Sequence, residues 1–466
     1  MKDLTQGSIT RQLVAMAVPI AIGMLFQTLY YLIDLFFVSR LGDAAIAGVS
    51  AAGTITFVVI ALTQMLAVGT TTLISHAAGR KDQAEANLVF NQSVLLAALC
   101  AAGTLAAGFL LSGLFLRGLA ADRPSAAAGA AYLYAYALGL ALQFPLAALG
   151  SALRGTGIVK PTMTVQMLSV IVNAILAPVL IAGWGTGHPL GTAGAGLAST
   201  IAVTIGLVLL WGYFARLEHY VGFARALWRP RGAIIRRILN VGLPAGGEFF
   251  VMFIILAVIY WVIRPFGPAA QAGFGIGGRV MQALFLPAMA VAFAIAPVAG
   301  QNFGARQFER VRETFRQGAL ISCVLMGALT VLCQWRPELF VVGFSREPEV
   351  VAVGATYLRV ISWNFVAMGL IFSCSGLFQA LGNTVPSLLS SASRLLTFVL
   401  PAVWLSTRPG FTLMQVWYLS VATVALQALT SLWLLRREFR RRLSGPAAAA
   451  PANATVAAVG GSDAAP

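Results

Sequence analysis

The sequence predicts an all-α integral membrane protein whose twelve transmembrane helices form two pseudo-symmetric six-helix lobes. Three observations carry this reading. The 466 residues are 59% hydrophobic and only 10% charged, with a mean hydropathy of +0.85, whereas soluble domains carry about 25% charged residues. The apolar blocks are long enough for spans of about 20 residues. Finally, the two halves align at one constant offset of 225 residues: Pro19 with Pro244, Gly42 with Gly267, Gly48 with Gly273, Gly79 with Gly304, Gly157 with Gly382 and Pro161 with Pro386. Most of these positions are backbone-special residues at segment ends. A repeat with an even number of spans returns the chain to its starting side. The copies therefore share one orientation and are related by an axis along the membrane normal.

Taken in order, the spans fall near 13–38, 46–75, 88–116, 130–153, 161–183 and 193–215 in the first lobe. The second lobe has them near 238–263, 271–302, 314–335, 350–380, 386–407 and 411–435. Stretches longer than about 25 residues imply tilt or protruding ends rather than extra spans. Residues 1–215 thus form the first lobe, 216–237 a linker and 238–435 the second lobe. The linker is charged and partly amphipathic, with Trp228 and Pro230, which suits an interfacial crossing. Residues 436–466 are first basic, then a low-complexity Ala/Gly/Pro run with no apolar period to bury, so disorder is expected there. The first twelve residues precede a span too long for a signal-peptide core, and no cleavage is expected.

The net charge of +16 raises the question of nucleic acid, but its distribution answers it. With the N-terminus inside, 21 of the 31 Lys and Arg fall on the cytoplasmic side and seven in the outer loops. That asymmetry follows the positive-inside rule and places both termini in the cytoplasm. Arg436, Arg437, Arg440, Arg441 and Arg442 are expected against anionic headgroups. Cys100, Cys323, Cys333 and Cys374 lie inside apolar spans without metal-ligand spacing and read as buried free thiols.

Of the fifteen acids, only Asp34 and Glu248 fall inside spans. A carboxylate at membrane depth costs about 2.5–3.5 kcal/mol on insertion scales, so it is expected to face a cavity and to work. Gln27, Tyr31 and Asp34 stand at i, i+4 and i+7, one polar stripe on the first span with Tyr30 beside it. Thr162, Gln166, Ser169 and Asn173 form a similar stripe on the fifth span, able to face the first across water. A carboxylate held there can take and release a proton. Glu248 lies four residues after Pro244, near the cytoplasmic end of the seventh span as read from the apolar run. Shifted by the offset it falls on Gly23, eleven residues short of Asp34, or roughly 16 Å in depth. The two acids are therefore not expected to form a dyad.

Arg279, Arg359 and Arg394 also fall inside spans and are expected in structural pairs. Gly273, Gly275 and Gly278 match G-x-G-x-x-G, but no strand precedes them, and close helix packing explains them better. The glycines of 191–196 read as a tight turn into the sixth span. No G-x-x-x-x-G-K-[ST] occurs, which excludes ATP hydrolysis by this chain. His76, His188 and His219 fall in loops and at span ends and read as solvated.

In the segments PIAIGMLFQTLYYLIDLFFVSRLG, AAGRKDQAE, ALRGTGIVKP, VNAILAP, GTAGAGLAST, GLPAG and VAGQNFGAR, the chain resembles the multidrug and toxic compound extrusion (MATE) family over about residues 7–435. The resemblance implies a V-shaped pair of six-helix bundles that exports amphipathic, mostly cationic compounds in exchange for protons or sodium. It places Asp34 at the family's coupling aspartate, with Asn173 and Thr200 as hydrogen-bonding partners. Two departures stand out. Ala177 precedes Pro178 where the DinF-like branch has Asp, and Met252 stands where the NorM-like branch has Glu, with Glu248 one helical turn earlier.

The reading is an ion-coupled antiporter, not an enzyme, exporting organic cations from a bacterial inner membrane by alternating access. Asp34 and Glu248 are its expected ion-coupling groups, and Gln27, Tyr30, Tyr31, Gln166, Asn173 and Thr200 are expected to line its cleft. The expected ion is the proton, because a lone carboxylate can bind one whereas sodium prefers a cage of oxygens. A sodium-coupled exporter and a lipid-linked oligosaccharide flippase of the same superfamily are the alternatives. No cofactor beyond the transported ion is expected. The expected partners are organic cations and membrane lipids, without nucleic acid, for a functional monomer.

Overall fold

The computed structural model describes residues 1–119, 122–344 and 347–443. The low-complexity part of the tail expected to be disordered lies outside these residues. Among the described residues, twelve helical segments are long and apolar enough to cross a membrane and no strand occurs. The protein is therefore a multi-pass, all-helical membrane protein.

The first six spans are α1 (Ile9–Ser39), α2 (Asp43–Gly79), α3 (Gln83–Leu119), α4 (Arg123–Gly155), α5 (Lys160–Ala182) and α6 (Gly191–Arg216). The second lobe opens with α7 (Gly232–Ile263), α8 (Pro268–Gly304) and α9 (Phe308–Trp335), followed by the short α10 (Glu338–Val342). Its tenth span is made of α11 (Pro348–Ile361) and α12 (Phe365–Ala380), with a 3₁₀ turn between them. The eleventh joins α13 (Val385–Arg394) to α14 (Leu400–Ser406) through a π-helical turn, and α15 (Leu413–Arg442) completes the set.

Both interruptions have local causes. Pro401 has no N–H to offer the Thr397 carbonyl, and the chain widens into the π turn at Leu395–Val399 just ahead of it. At the 3₁₀ turn Ser362–Asn364, groups released from the helix ladder are taken by α9: Thr330 donates to Ser362 O (2.9 Å), and Gln334 donates to Arg359 O (2.6 Å). In lipid such groups need a protein partner.

The repeat extends to the backbone of the turns. Gly42 (φ 98°) and Gly267 (φ 88°) lead into α2 and α8. Lys81 (φ 60°) and Arg306 (φ 59°), again 225 residues apart, share the left-handed conformation that side chains disfavour.

The lobes meet at the end of the bundle that carries both described chain ends, hereafter the basic end, in a seam that obeys the same pseudo-two-fold relation. A Cβ on Gly79 would overlap the backbone of Gln301, and one on Gly304 would overlap the backbone of His76. The side chains cross the seam in the same reciprocal way. His76 Nε2 lies 2.6 Å from Ala380 O, and Gln301 Nε2 donates to Gly155 O at 3.0 Å. Each residue of one contact is the offset partner of a residue in the other. His76, read from sequence as solvated, is thus buried at the seam, because its helix runs on to Gly79 and faces the other lobe.

The residues preceding α1 are locked into this seam. Leu4 N donates to Gln301 Oε1 (2.9 Å), Asn302 Nδ2 donates to Leu4 O (3.1 Å) and Lys2 N donates to Thr156 O (2.8 Å). The Asp3 carboxylate accepts from the Thr5 hydroxyl (2.6 Å) and backbone N–H (2.9 Å), which hold it below the usual carboxylate range.

Two helices cross between lobes. The first half of α1, through Leu13, Met16 and Ala17, packs with Val291, Ile295 and Val298 of α8. Beyond Pro19, Tyr30 and Ile33 pack instead with Val170 and Ala202 of the first lobe. The related helix α7 does the reverse, with Gly242 and Ile238 against Met65 and Gly69 of α2.

The linker is strapped to the start of α3. Asn91 Oδ1 accepts from Ala224 N and Trp228 Nε1 (both 3.0 Å), and Gln92 joins Leu227 O (2.7 Å), Arg229 O (2.8 Å) and Arg231 N (2.8 Å). The basic residues of 436–442 are helical, not loose, since α15 continues to Arg442. Arg442 pairs with Glu438 (3.0 Å) and donates to Leu381 O (2.7 Å).

The seam generates a ranking. Gln301→Leu orphans both Leu4 N and Gly155 O and should cost about 2–4 kcal/mol, whereas His76→Leu orphans one acceptor and should cost about 1–2 kcal/mol. Thermal unfolding of the purified protein in detergent checks it. A His76 variant less stable than the Gln301 variant would contradict the bond assignment.

Candidate functional site

Three helices of the first lobe converge on Asp34, which lies five residues before the end of α1. Its Oδ1 accepts from Asn173 Nδ2 of α5 and its Oδ2 from Ser199 Oγ of α6, both at 2.9 Å. Small residues let α6 approach closely: a Cβ on Gly206 would crowd Ser169, and one on Gly196 would overlap the Tyr132 carbonyl. Among the described residues no Lys or Arg forms an ion pair with Asp34. The carboxylate is therefore held by two neutral donors.

Aromatic hydroxyls surround it. Tyr30 is buried, its hydroxyl without a hydrogen-bond partner, and its ring meets Tyr31 edge to face at 5.8 Å. Tyr132 and Tyr136 of α4 are buried nearby, and Tyr136 accepts from Gln143 at 3.3 Å. Asn173 Oδ1 also lacks a partner. Tyr31 is 43% exposed and Gln27 is exposed, so the stripe on α1 grades from an accessible face to the half-buried Asp34. Gln166 is half-buried two turns before Asn173.

Of the sequence-predicted residues, Asp34, Asn173 and Tyr30 come together. Thr200 does not join Asp34, and this corrects the expected pairing. Its hydroxyl donates to Ala135 O of α4 at 2.7 Å, and the adjacent Ser199 supplies the second donor. Neighbouring positions on a helix differ by about 100° in direction, so only one can face α1. The small-residue run of α6 contains both hydroxyls, and nothing in the run alone distinguishes them.

Glu248 stands apart in the second lobe. Because α7 begins at Gly232, six residues before the apolar run, Glu248 falls at the middle of the helix. It lies beside Ser387 of α13. No Lys or Arg pairs with it among the described residues. Of the three intramembrane arginines expected in pairs, Arg359 meets Glu338 at 3.2 Å. Arg394 has no such acid; its guanidinium sits over the Phe398 ring at 5.5 Å.

Of the three glycines in the G-x-G-x-x-G match, Gly273 lies against Val353 and Gly354 and Gly275 against the Tyr260 hydroxyl, while a Cβ on Gly278 would meet nothing within 4 Å, so close packing accounts for two of the three. All four cysteines are free thiols, Cys333 and Cys374 buried and Cys100 and Cys323 partly so. Among the described residues no cluster of three or more His, Cys, Asp or Glu could hold a metal.

Comparison with known proteins follows the same two-fold pattern. The MatE family model matches residues 19–179 and again 244–405. The probable multidrug resistance protein YpnP of Bacillus subtilis is 28% identical over 416 residues, spanning 89% of this chain and 90% of that protein. The FAD transporter of Shewanella oneidensis is 25% identical, spanning 86% and 89%. A MATE crystal structure in complex with MaL6 matches with a TM-score of 0.89 at 23% identity, over 95% of this chain and 99% of that one. The outward-facing structure of a multidrug resistance MATE family transporter of the MOP superfamily matches with a TM-score of 0.88, also at 23% identity, over 95% and 98%. With one family model matched twice and the same twelve-helix architecture, the chain belongs to the MatE family.

Proposed function

We propose that this protein exports amphipathic organic cations in exchange for protons, by alternating access between its two lobes. It acts in the bacterial inner membrane with the basic end in the cytoplasm. One observation carries the reading: Asp34 is a carboxylate held by two neutral donors and no cation. A charge so placed gains from either a proton or a cation, and both cannot be accommodated fully at once. Competition of that kind is what couples the two fluxes. With the basic end cytoplasmic, the closed seam faces inward and the site is reached from outside, so this conformation releases cargo and loads a proton. The names of the relatives support export of drugs.

Asn173 and Ser199 orient Asp34, and the exposed ring of Tyr31 offers a surface for an aromatic cation. Glu248 plays a secondary part from the other lobe. The proton is preferred to sodium because Asp34 stands without a second carboxylate, Ala177 occupying the position where one branch of the family has Asp. No cofactor enters the cycle beyond the transported ion, and one chain contains both lobes that the cycle requires.

Asp34→Asn should abolish coupled efflux of a fluorescent cation while leaving yield and monodispersity nearly intact. Wild-type efflux by that variant would sink the assignment. Ser199→Ala removes a hydrogen bond to a charged group and should lower efflux about tenfold, whereas Thr200→Ser keeps the bond to Ala135 and should stay within about twofold of wild type. Equal losses in the two variants would show that the Ser199 contact has no role. Glu248→Gln should slow transport without eliminating it. In proteoliposomes, an imposed pH gradient should drive efflux with sodium absent; transport that rises only with added sodium would refute proton coupling.

A further inference from the structure

The polar stripe on the fifth span has a counterpart on the eleventh. Shifting Thr162, Gln166, Ser169 and Asn173 by 225 residues gives Ser387, Ser391, Arg394 and Phe398. The two stripes face the interiors of their lobes. In the first lobe the stripe ends on the pair formed by Asn173 and Asp34. In the second, Ser387 donates to Ser375 of α12 (3.0 Å), Gln427 of α15 donates to Ser391 (3.4 Å) and Arg394 sits over Phe398 (5.5 Å). The repeat therefore retains part of the polar stripe and adds a positive charge to it, with an arginine where the first lobe has a serine.

Arg394 is unusual on this stripe. Its Nε is buried with no hydrogen-bond partner, and no acid pairs with it among the described residues. Glu248 lies beside Ser387, seven residues and about 10 Å along α13 from Arg394, too far to neutralise it. A guanidinium at this depth is costly without a partner. Arg394 closes α13, and the next residue begins the π turn, a feature that recurs at binding sites. The aromatic face of Phe398 supports one side of the guanidinium and leaves its N–H edge for an acceptor.

We propose that Arg394 is an oxyanion subsite in the second lobe, which receives the carboxylate or phosphate of a zwitterionic amphipathic cargo. It rests on the exporter reading and extends the substrate class from cations to zwitterions. Asp34 and Arg394 would then serve opposite ends of the cargo class from opposite lobes, with Ser391 and Gln427 lining the approach to the guanidinium.

A carboxylated rhodamine and its ethyl ester test this, since they share one ring system and differ only in the anionic group. Fluorescence polarisation on the purified full-length protein in detergent should show the acid binding about tenfold more tightly than the ester. Arg394→Gln should erase that preference and leave ester affinity unchanged, and Arg394→Lys should keep part of it. Equal affinity of the wild-type protein for acid and ester would overturn the proposal, and this arm needs no variant to fold. Equal weakening of both probes in Arg394→Gln would make the arginine structural and likewise overturn it. Displacement of the acid by phosphatidylglycerol but not by a soluble aromatic carboxylate would assign the arginine to a lipid headgroup and overturn the cargo assignment. Efflux of the ester from cells is read separately. Its failure in the wild-type strain would count against the exporter reading, while the binding ratio would still decide the subsite.

Discussion

Everything in this molecule hangs on how two lobes adhere when lipid is the competing solvent. Apolar side chains gain little by leaving acyl chains for one another, so area alone cannot hold the halves together. The seam instead relies on backbone approach and hydrogen bonds. Gly79 and Gly304 remove the side chains that would keep α2 and α8 apart, and His76 and Gln301 each reach a carbonyl of the opposite lobe. These contacts are few, directional and short in range. The crossing of α1 and α7 distributes the same logic, since each helix is anchored at one end in the opposite lobe.

The chemistry sits where this adhesive pattern stops. Beyond Pro19 the first helix rejoins its own lobe and carries a stripe from exposed Gln27 and Tyr31 to half-buried Asp34. Neutral amide and hydroxyl donors satisfy the geometry of the carboxylate without cancelling its charge. A fixed arginine there would have made a permanent ion pair, stable and unresponsive. Leaving the charge without a cation costs stability locally.

Much of this was legible in the residues themselves. The constant offset found the two lobes, and the same offset later related the turns at Lys81 and Arg306, which no residue preference would have flagged. Asp34 and Asn173 were visible because polar groups on apolar helices are rare. What escaped was direction. Ser199 and Thr200 are neighbours of similar chemistry, and only the rotation of α6 decides which meets Asp34. His76 escaped because a histidine at a span end looks solvated unless the opposing lobe is known. The start of α7 at Gly232 also escaped, because an apolar run marks only the lipid-facing part of a helix.

The docking of the residues around Leu4 also sets an order on assembly. Leu4 is synthesised long before its partners, for Gln301 and Asn302 emerge about 300 residues later. At ribosomal rates of about 5–20 residues per second that interval is roughly 15–60 s. Through it the first half of α1 has its apolar groups in the bilayer but no α8 to pack against, and the chain ahead of it has unanswered amides facing water. The leading segment therefore settles only when α8 of the second lobe arrives, although it is translated first.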